Sequence, residues 1–186
     1  MSDAMDKTKE AIEELRDPWA RRMAVLISAL AAVLALSEIG GKAAQNAYLT
    51  DHVSLSNDWA FYQAKNLRAM VRSSEAGLLA SLPNAADPAV QARIKDAEAY
   101  NSRMRDDPES GEGMKQIAAK ARALETERDK AEHRYHGYEY AVGALEIAIV
   151  LASVSVVTWI RPLGIAATAI GALATAASLC IATNVF

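Results

Sequence analysis

Cysteine occurs once in this chain, at position 180, inside an apolar stretch. A single thiol excludes an intrachain disulfide and a cysteine metal site. Five prolines and nine glycines are few for 186 residues, and β-branched alternation is scarce. So few breakers, and so little period-two patterning, point to an all-α fold. Neither sign of charge dominates: 20 Lys and Arg stand against 23 Asp and Glu, a net charge of −3. No basic stripe is interleaved with aromatics, so nucleic acid is not an expected partner. No nucleophile–base set and no cofactor fingerprint occurs, and the chain is expected not to be an enzyme.

What is present is a sharp segregation of charge. The mean hydropathy of +0.01 averages two unlike materials. Residues 42–139 hold 14 of the 20 Lys and Arg and 15 of the 23 Asp and Glu. Outside them lie three long, nearly uncharged windows. Met23 to Gly41 has Glu38 as its only charge. Trp19, Arg21 and Arg22 stand at its entrance as an interfacial anchor. Tyr140 to Ile160 has Glu146 as its only charge, and Leu163 to Thr183 has none. Each is long enough to cross a hydrocarbon core of about 30 Å. The first is read as a retained span, because Lys42-Ala43-Ala44-Gln45 is a poor cleavage site.

The chain order follows. Residues 1–17 form an amphipathic or cytoplasmic segment, with Met5, Thr8, Ile12 and Leu15 at heptad steps. Residues 18–41 are the first span, 42–139 an extramembrane region, 140–160 the second span, and 161–186 a short turn and third span. Three Asp-Pro pairs, at 17–18, 87–88 and 107–108, read as helix starts. Along 42–82, Val53, Ala60, Ala64, Leu67, Met70, Val71 and Leu78 give an intermittent apolar stripe. Residues 82–88 read as a turn. Val90, Ile94, Ala97, Asn101 and Met104 follow at heptad steps, and the glycines near Pro108 mark 106–113 as a loop or weak first turn. From Met114, a heptad runs through Ile117, Ala121, Leu124, Arg128, Ala131, Tyr135 and Tyr138 straight into the second span. The expected architecture is three transmembrane helices with a long antiparallel, coiled-coil-like helical hairpin between spans one and two. Arg161-Pro162 is expected to be the whole turn between spans two and three. Small residues four apart in the third span, Gly164/Thr168 and Ala167/Gly171/Thr175, match the pattern of close helix approach.

Lys7, Lys9, Arg16, Arg21, Arg22 and Arg161 flank the spans on one side. The positive-inside rule then puts the N-terminus in the cytoplasm, with the hairpin and C-terminus outside.

Two groups of residues attract a functional reading. Glu38 and Glu146 are carboxylates inside apolar spans, which are costly unless they face protein or water. They suit a proton or cation site, or helix–helix hydrogen bonds. Trp59, Tyr62, Gln63 and Asn66 place aromatic and amide groups on one helical face, suited to a partner helix or a ligand. His133 and His136 share a face but lack further ligands, and the acids at 106–112 do not have EF-hand spacing. No metal is expected at either.

Asn57-Asp58-Trp59-Ala60-Phe61-Tyr62-Gln63-Ala64-Lys65 and Ala141-Val142-Gly143-Ala144-Leu145-Glu146-Ile147-Ala148-Ile149-Val150-Leu151 resemble the DUF4337 family of uncharacterised bacterial membrane proteins. The order of one span, a charged helical middle and two closely spaced spans does so too. The resemblance covers about residues 18–183 and implies a bacterial inner-membrane protein; it assigns no catalytic residue. The expected function is that of an integral membrane interaction or scaffold protein, homo-oligomeric or an accessory subunit of a membrane complex. Its partners would be lipid, copies of itself or another membrane protein. The alternative is an oligomeric ion or proton conductor using Glu146.

Overall fold

A computed structural model describes residues 18–183. The amphipathic reading of residues 1–17 therefore lies outside the described residues. Within them the chain is all helix and turn: α1 Pro18–Ala80, α2 Pro88–Arg105, α3 Met114–Thr158 and α4 Arg161–Ala182. Three of the four, α1, α3 and α4, are long and apolar enough to cross a membrane. α1 is a single helix of 63 residues and α3 one of 45. The described residues divide into two compact units, residues 18–46 with 131–183 and residues 47–130.

The first unit is built on small residues. Buried Gly164, Ala167, Gly171, Ala174 and Ser178 follow one another on α4 at alternating three- and four-residue steps. Ala141, Leu145, Ala148, Ala152 and Ser155 do the same on α3, and Met23, Leu30, Ser37 and Ala44 recur every seventh residue on α1. These are seams of knobs-into-holes contact. A Cβ on Gly164 would lie 2.6 Å from Trp19 and 2.9 Å from both Met23 Sδ and Ser155 Oγ. One on Gly171 would lie 2.7 Å from a Leu30 methyl. The two glycines thus admit α1 side chains against the α4 backbone. The expected four-residue pairs are half right. Gly164, Ala167 and Gly171 are in the seam, but the Thr168 and Thr175 hydroxyls turn back to the Gly164 and Gly171 carbonyls (2.8 and 2.7 Å). A 2.7 Å hydrogen bond between the buried Ser37 and Ser178 hydroxyls crosses the seam.

The turn between α3 and α4 departs from expectation. Arg161-Pro162 is not the turn but the first turn of α4. The reversal falls on Trp159-Ile160, with Trp159 at φ 59°. A non-glycine residue there costs about 1–2 kcal/mol. The Ser155 hydroxyl donates to the Ile160 carbonyl at 3.0 Å, which helps fix the bend. Proline suits an early helical position, so Pro162 starts α4 rather than ending α3.

In the second unit, Asp87-Pro88 starts α2 as expected: Asp87 Oδ1 accepts the Ala89 N–H at 2.8 Å. Asp107-Pro108 starts no helix. Asp107 instead closes an isolated turn, accepting Ser110 N–H on its carboxylate (3.2 Å) and Gly111 N–H on its carbonyl (3.0 Å). Gly111 at φ 72° then leads the chain out of helical geometry. The heptad from Met114 is the inward face of α3. Met114, Ile117 and Ala121 are buried in this unit, with Leu124 and Arg128 half-buried; farther along, in the first unit, Ala131 and Tyr138 are buried and Tyr135 half-buried. Arg128, the charged lapse, pairs with Asp129 beside it. On α2, Ala97 is buried, with Val90, Ile94, Asn101 and Met104 half-buried.

The apolar stripe of α1 faces outward. Val53, Leu67, Met70, Val71 and Leu78 are each more than half exposed. The inward positions are instead Leu55, Asp58, Tyr62, Lys65 and Ala69. Polar contacts tie them across the unit. Asp58 pairs with Lys120 at 3.1 Å, Lys65 with Glu112 at 3.7 Å, and Glu75 with Arg93 at 2.9 Å. Arg72 lies over the Tyr100 ring at 5.3 Å.

Two outcomes test this account. Gly164→Leu overfills the site facing Trp19 and Ser155, at a cost of about 1–3 kcal/mol. Its thermal unfolding midpoint in detergent is expected below that of the wild type; an unchanged midpoint would contradict the close approach. Glu75 has its carboxyl held below its ordinary value by hydrogen bonds from Arg72 and then Arg93. That contribution is present above the unfolded carboxylate pKa and is lost as pH falls through the lowered folded value. Glu75→Gln is therefore expected to unfold at lower denaturant than wild type at neutral pH. The difference should vanish once acid has protonated the wild-type carboxylate.

Candidate functional site

The residues singled out by sequence fall in three places. Glu38, on α1, is exposed and lines a cavity of about 300 Å³ in the first unit with Lys42, Tyr135, Tyr138 and Glu139. Glu139 is the organised carboxylate there. The Tyr135 hydroxyl donates to its Oε1 at 2.7 Å, and His136 Nδ1 lies 2.9 Å from Oε2. The hydrogen bond from Tyr135, then that from His136, holds the Glu139 carboxyl below its usual range. The same carboxylate pushes the Tyr135 phenol up. His136 therefore partners a carboxylate, and His133 is exposed.

Glu146 is elsewhere. It does not line that cavity. Its helix buries Leu145 and Ala148, and Glu146 is exposed on the outward face with Ile147, Val150 and Val157. One turn earlier, a Cβ on Gly143 would meet nothing within 4 Å. The outward face of α3 thus joins a carboxylate, a glycine and β-branched side chains. In a bilayer such a carboxylate needs a partner or water.

The Trp59–Asn66 face is divided. Trp59 and Tyr62 touch edge to face, with ring centroids 5.6 Å apart. Trp59 and Gln63 border a cavity of about 380 Å³ with His52 and Leu55 on α1 itself. Tyr62 and Asn66 border a separate cavity of about 570 Å³ against α3 and the end of α2.

Lys65 is the residue that sequence reasoning missed. It is only 6% exposed, yet carries a full amino group inward. It donates to the Glu112 main-chain carbonyl, approaches the Glu112 carboxylate, and lies 5.0 Å from the Phe61 ring centroid. It thereby fastens the 106–113 loop to α1. Asp106 strengthens the loop, accepting from Gln116 Nε2 at 2.5 Å and Lys115 Nζ at 3.1 Å. Asp58, Tyr62, Lys65 and Ala69 do follow a heptad spacing. A search for apolar residues passes over it, because three of the four are polar.

Among the described residues, no three His, Cys, Asp or Glu side chains group to hold a metal ion. The class defined so far is an all-α protein with three helices able to cross a membrane and a charged helical unit between the first two. Residues 19–182 match the family described as Domain of unknown function (DUF4337), and the chain belongs to that family. No curated protein matches the chain, and no solved structure matches it.

Proposed function

We propose that this protein is a multi-pass membrane interaction protein, not a catalyst, that assembles with copies of itself through the outward stripe of α1. The stripe itself carries the reading. Val53, Ala60, Ala64, Leu67, Val71 and Leu78 are spaced seven, four, three, four and seven residues apart, and all are exposed. That is a heptad seam with no helix against it among the described residues, on a helix whose other face is already engaged. In water such a stripe is an interaction surface. Copies of one chain satisfy it by symmetry, since each brings the same stripe.

The finer architecture belongs to the same proposal. Contacts 58–120, 65–112, 72–100 and 75–93 fall in sequence on one side as they rise on the other. That order supports an antiparallel helical hairpin with coiled-coil character. The arginines at 21, 22 and 161 support a cytoplasmic N-terminus, and the family resemblance supports a bacterial inner membrane.

Glu146 favours a second reading. An exposed carboxylate in an apolar stretch is expensive in lipid. In a ring of copies it either meets a neighbouring helix or lines a central axis, and the latter makes a cation or proton pathway.

Two experiments separate these readings. Native mass spectrometry of the wild type is expected to give oligomers, and Leu67→Glu/Val71→Glu monomers of unchanged helicity; a wild type that is only monomeric would sink the assembly. In liposomes, a wild-type cation flux that Glu146→Gln abolishes supports the conducting reading. A flux that survives the substitution unchanged excludes Glu146 as its pathway.

A further inference from the structure

The cavity of about 570 Å³ beside Tyr62 and Asn66 has a chemistry that the assembly proposal does not use. Three helices of the second unit border it. Tyr62 and Asn66 come from α1, Arg105 is the last residue of α2, and Lys115 and Arg122 come from the first turns of α3. Every polar side chain in this wall can donate a hydrogen bond, and none is a carboxylate. Lys115 is partly answered by Asp106 at 3.1 Å. Arg105 and Arg122 pair with no carboxylate among the described residues. Two guanidiniums with no carboxylate partner among the described residues, and an ammonium, thus face one space in a chain whose net charge is −3. Local charge here opposes the charge of the whole, so the cluster is not part of a general basic surface.

We propose that this groove binds a small organic phosphate. A cation is excluded by the wall of donors and positive charge. A neutral molecule would gain no ionic hydrogen bond from the two exposed guanidiniums. A phosphate group offers several acceptor oxygens to the planar fork of Arg105 and that of Arg122, with Lys115 as a point charge. The Tyr62 hydroxyl and Asn66 amide add neutral donors. Ala118, Ala119 and Met114 form the apolar part of the wall, against which a carbon skeleton can lie. The volume exceeds what bare phosphate fills and falls within the range of small-molecule sites, about 300–1,000 Å³. Arg105 reaches the site because the turn at 106–113 ends α2 there. The Asp106 contacts to Lys115 and Gln116 hold that end beside the start of α3.

The test uses the full chain in detergent, titrated calorimetrically with inorganic pyrophosphate and, separately, with citrate. Pyrophosphate is expected to bind, more weakly as salt is raised. Arg105→Gln/Arg122→Gln is expected to weaken it by about tenfold or more. Arg68→Gln/Lys95→Gln removes the same charge from exposed positions outside the groove and is expected to leave binding unchanged. Circular dichroism checks that each variant is folded; Arg122→Glu, at one exposed position, replaces the double variant if that one is not. Absence of pyrophosphate binding at concentrations up to about 10 mM would overturn the proposal. So would equal loss in both double variants, or tighter binding of citrate than of pyrophosphate.

Discussion

Contact between helix backbone and side chain at Gly164 and Gly171 governs how closely the three apolar helices approach. Apolar helices in lipid gain little from burying apolar surface against one another, because the tails are as apolar as leucine. What holds them is close, complementary packing. α4 meets this need with glycine, alanine and serine along its buried face, and α3 with alanine, serine and one fully buried leucine, Leu145. The Ser37–Ser178 bond adds a polar tie where both helices are buried. Loss of either glycine would force α1 side chains away from α4.

The second unit solves a different problem. Its helices lie among charged residues, and their contacts are correspondingly polar. Lys65 is the clearest case, an amino group drawn inward because the Glu112 carbonyl and carboxylate receive it and Phe61 flanks it. Each exposed ion pair here is worth only a fraction of a kcal/mol to about 1 kcal/mol. The unit therefore gains more in specificity of pairing than in stability. Leu55, Met114, Ile117 and Ala121 are buried within it, while the Val53–Leu78 stripe of α1 is displayed outward.

Much of this was legible in the chain. Charge segregation located three helices able to cross a membrane, since about 20 consecutive nearly uncharged residues make a helix of the length and apolarity a hydrocarbon core requires. The Met114–Tyr138 heptad located the buried face of α3, because seven-residue apolar spacing leaves one stripe to bury. Asp87-Pro88 announced its helix. The same logic failed at Asp107-Pro108, where a serine and a glycine just downstream let Asp107 close a local turn instead. It failed again at Arg161-Pro162, because a proline fixes a helix start as readily as a helix end, and only the Ser155 contact and the Trp159 backbone reveal which. On α1 two heptads run side by side, one apolar and one mixed. Hydrophobicity alone ranks the apolar one first, yet the mixed one is engaged.

Sequence by itself determined the helical class, the three apolar stretches and the family, because these follow from local composition and short-range periodicity. Tertiary structure decided which face of each helix turns inward, that Glu146 points outward while Glu38 lines a cavity with Glu139, and that Tyr62 and Asn66 meet Arg105, Lys115 and Arg122. The reason is physical. Periodicity is a property of one helix, whereas the choice between two stripes on that helix depends on which partner answers each side chain. Partners more than 40 residues away in the chain, as Lys65 and Glu112 are, leave no local trace.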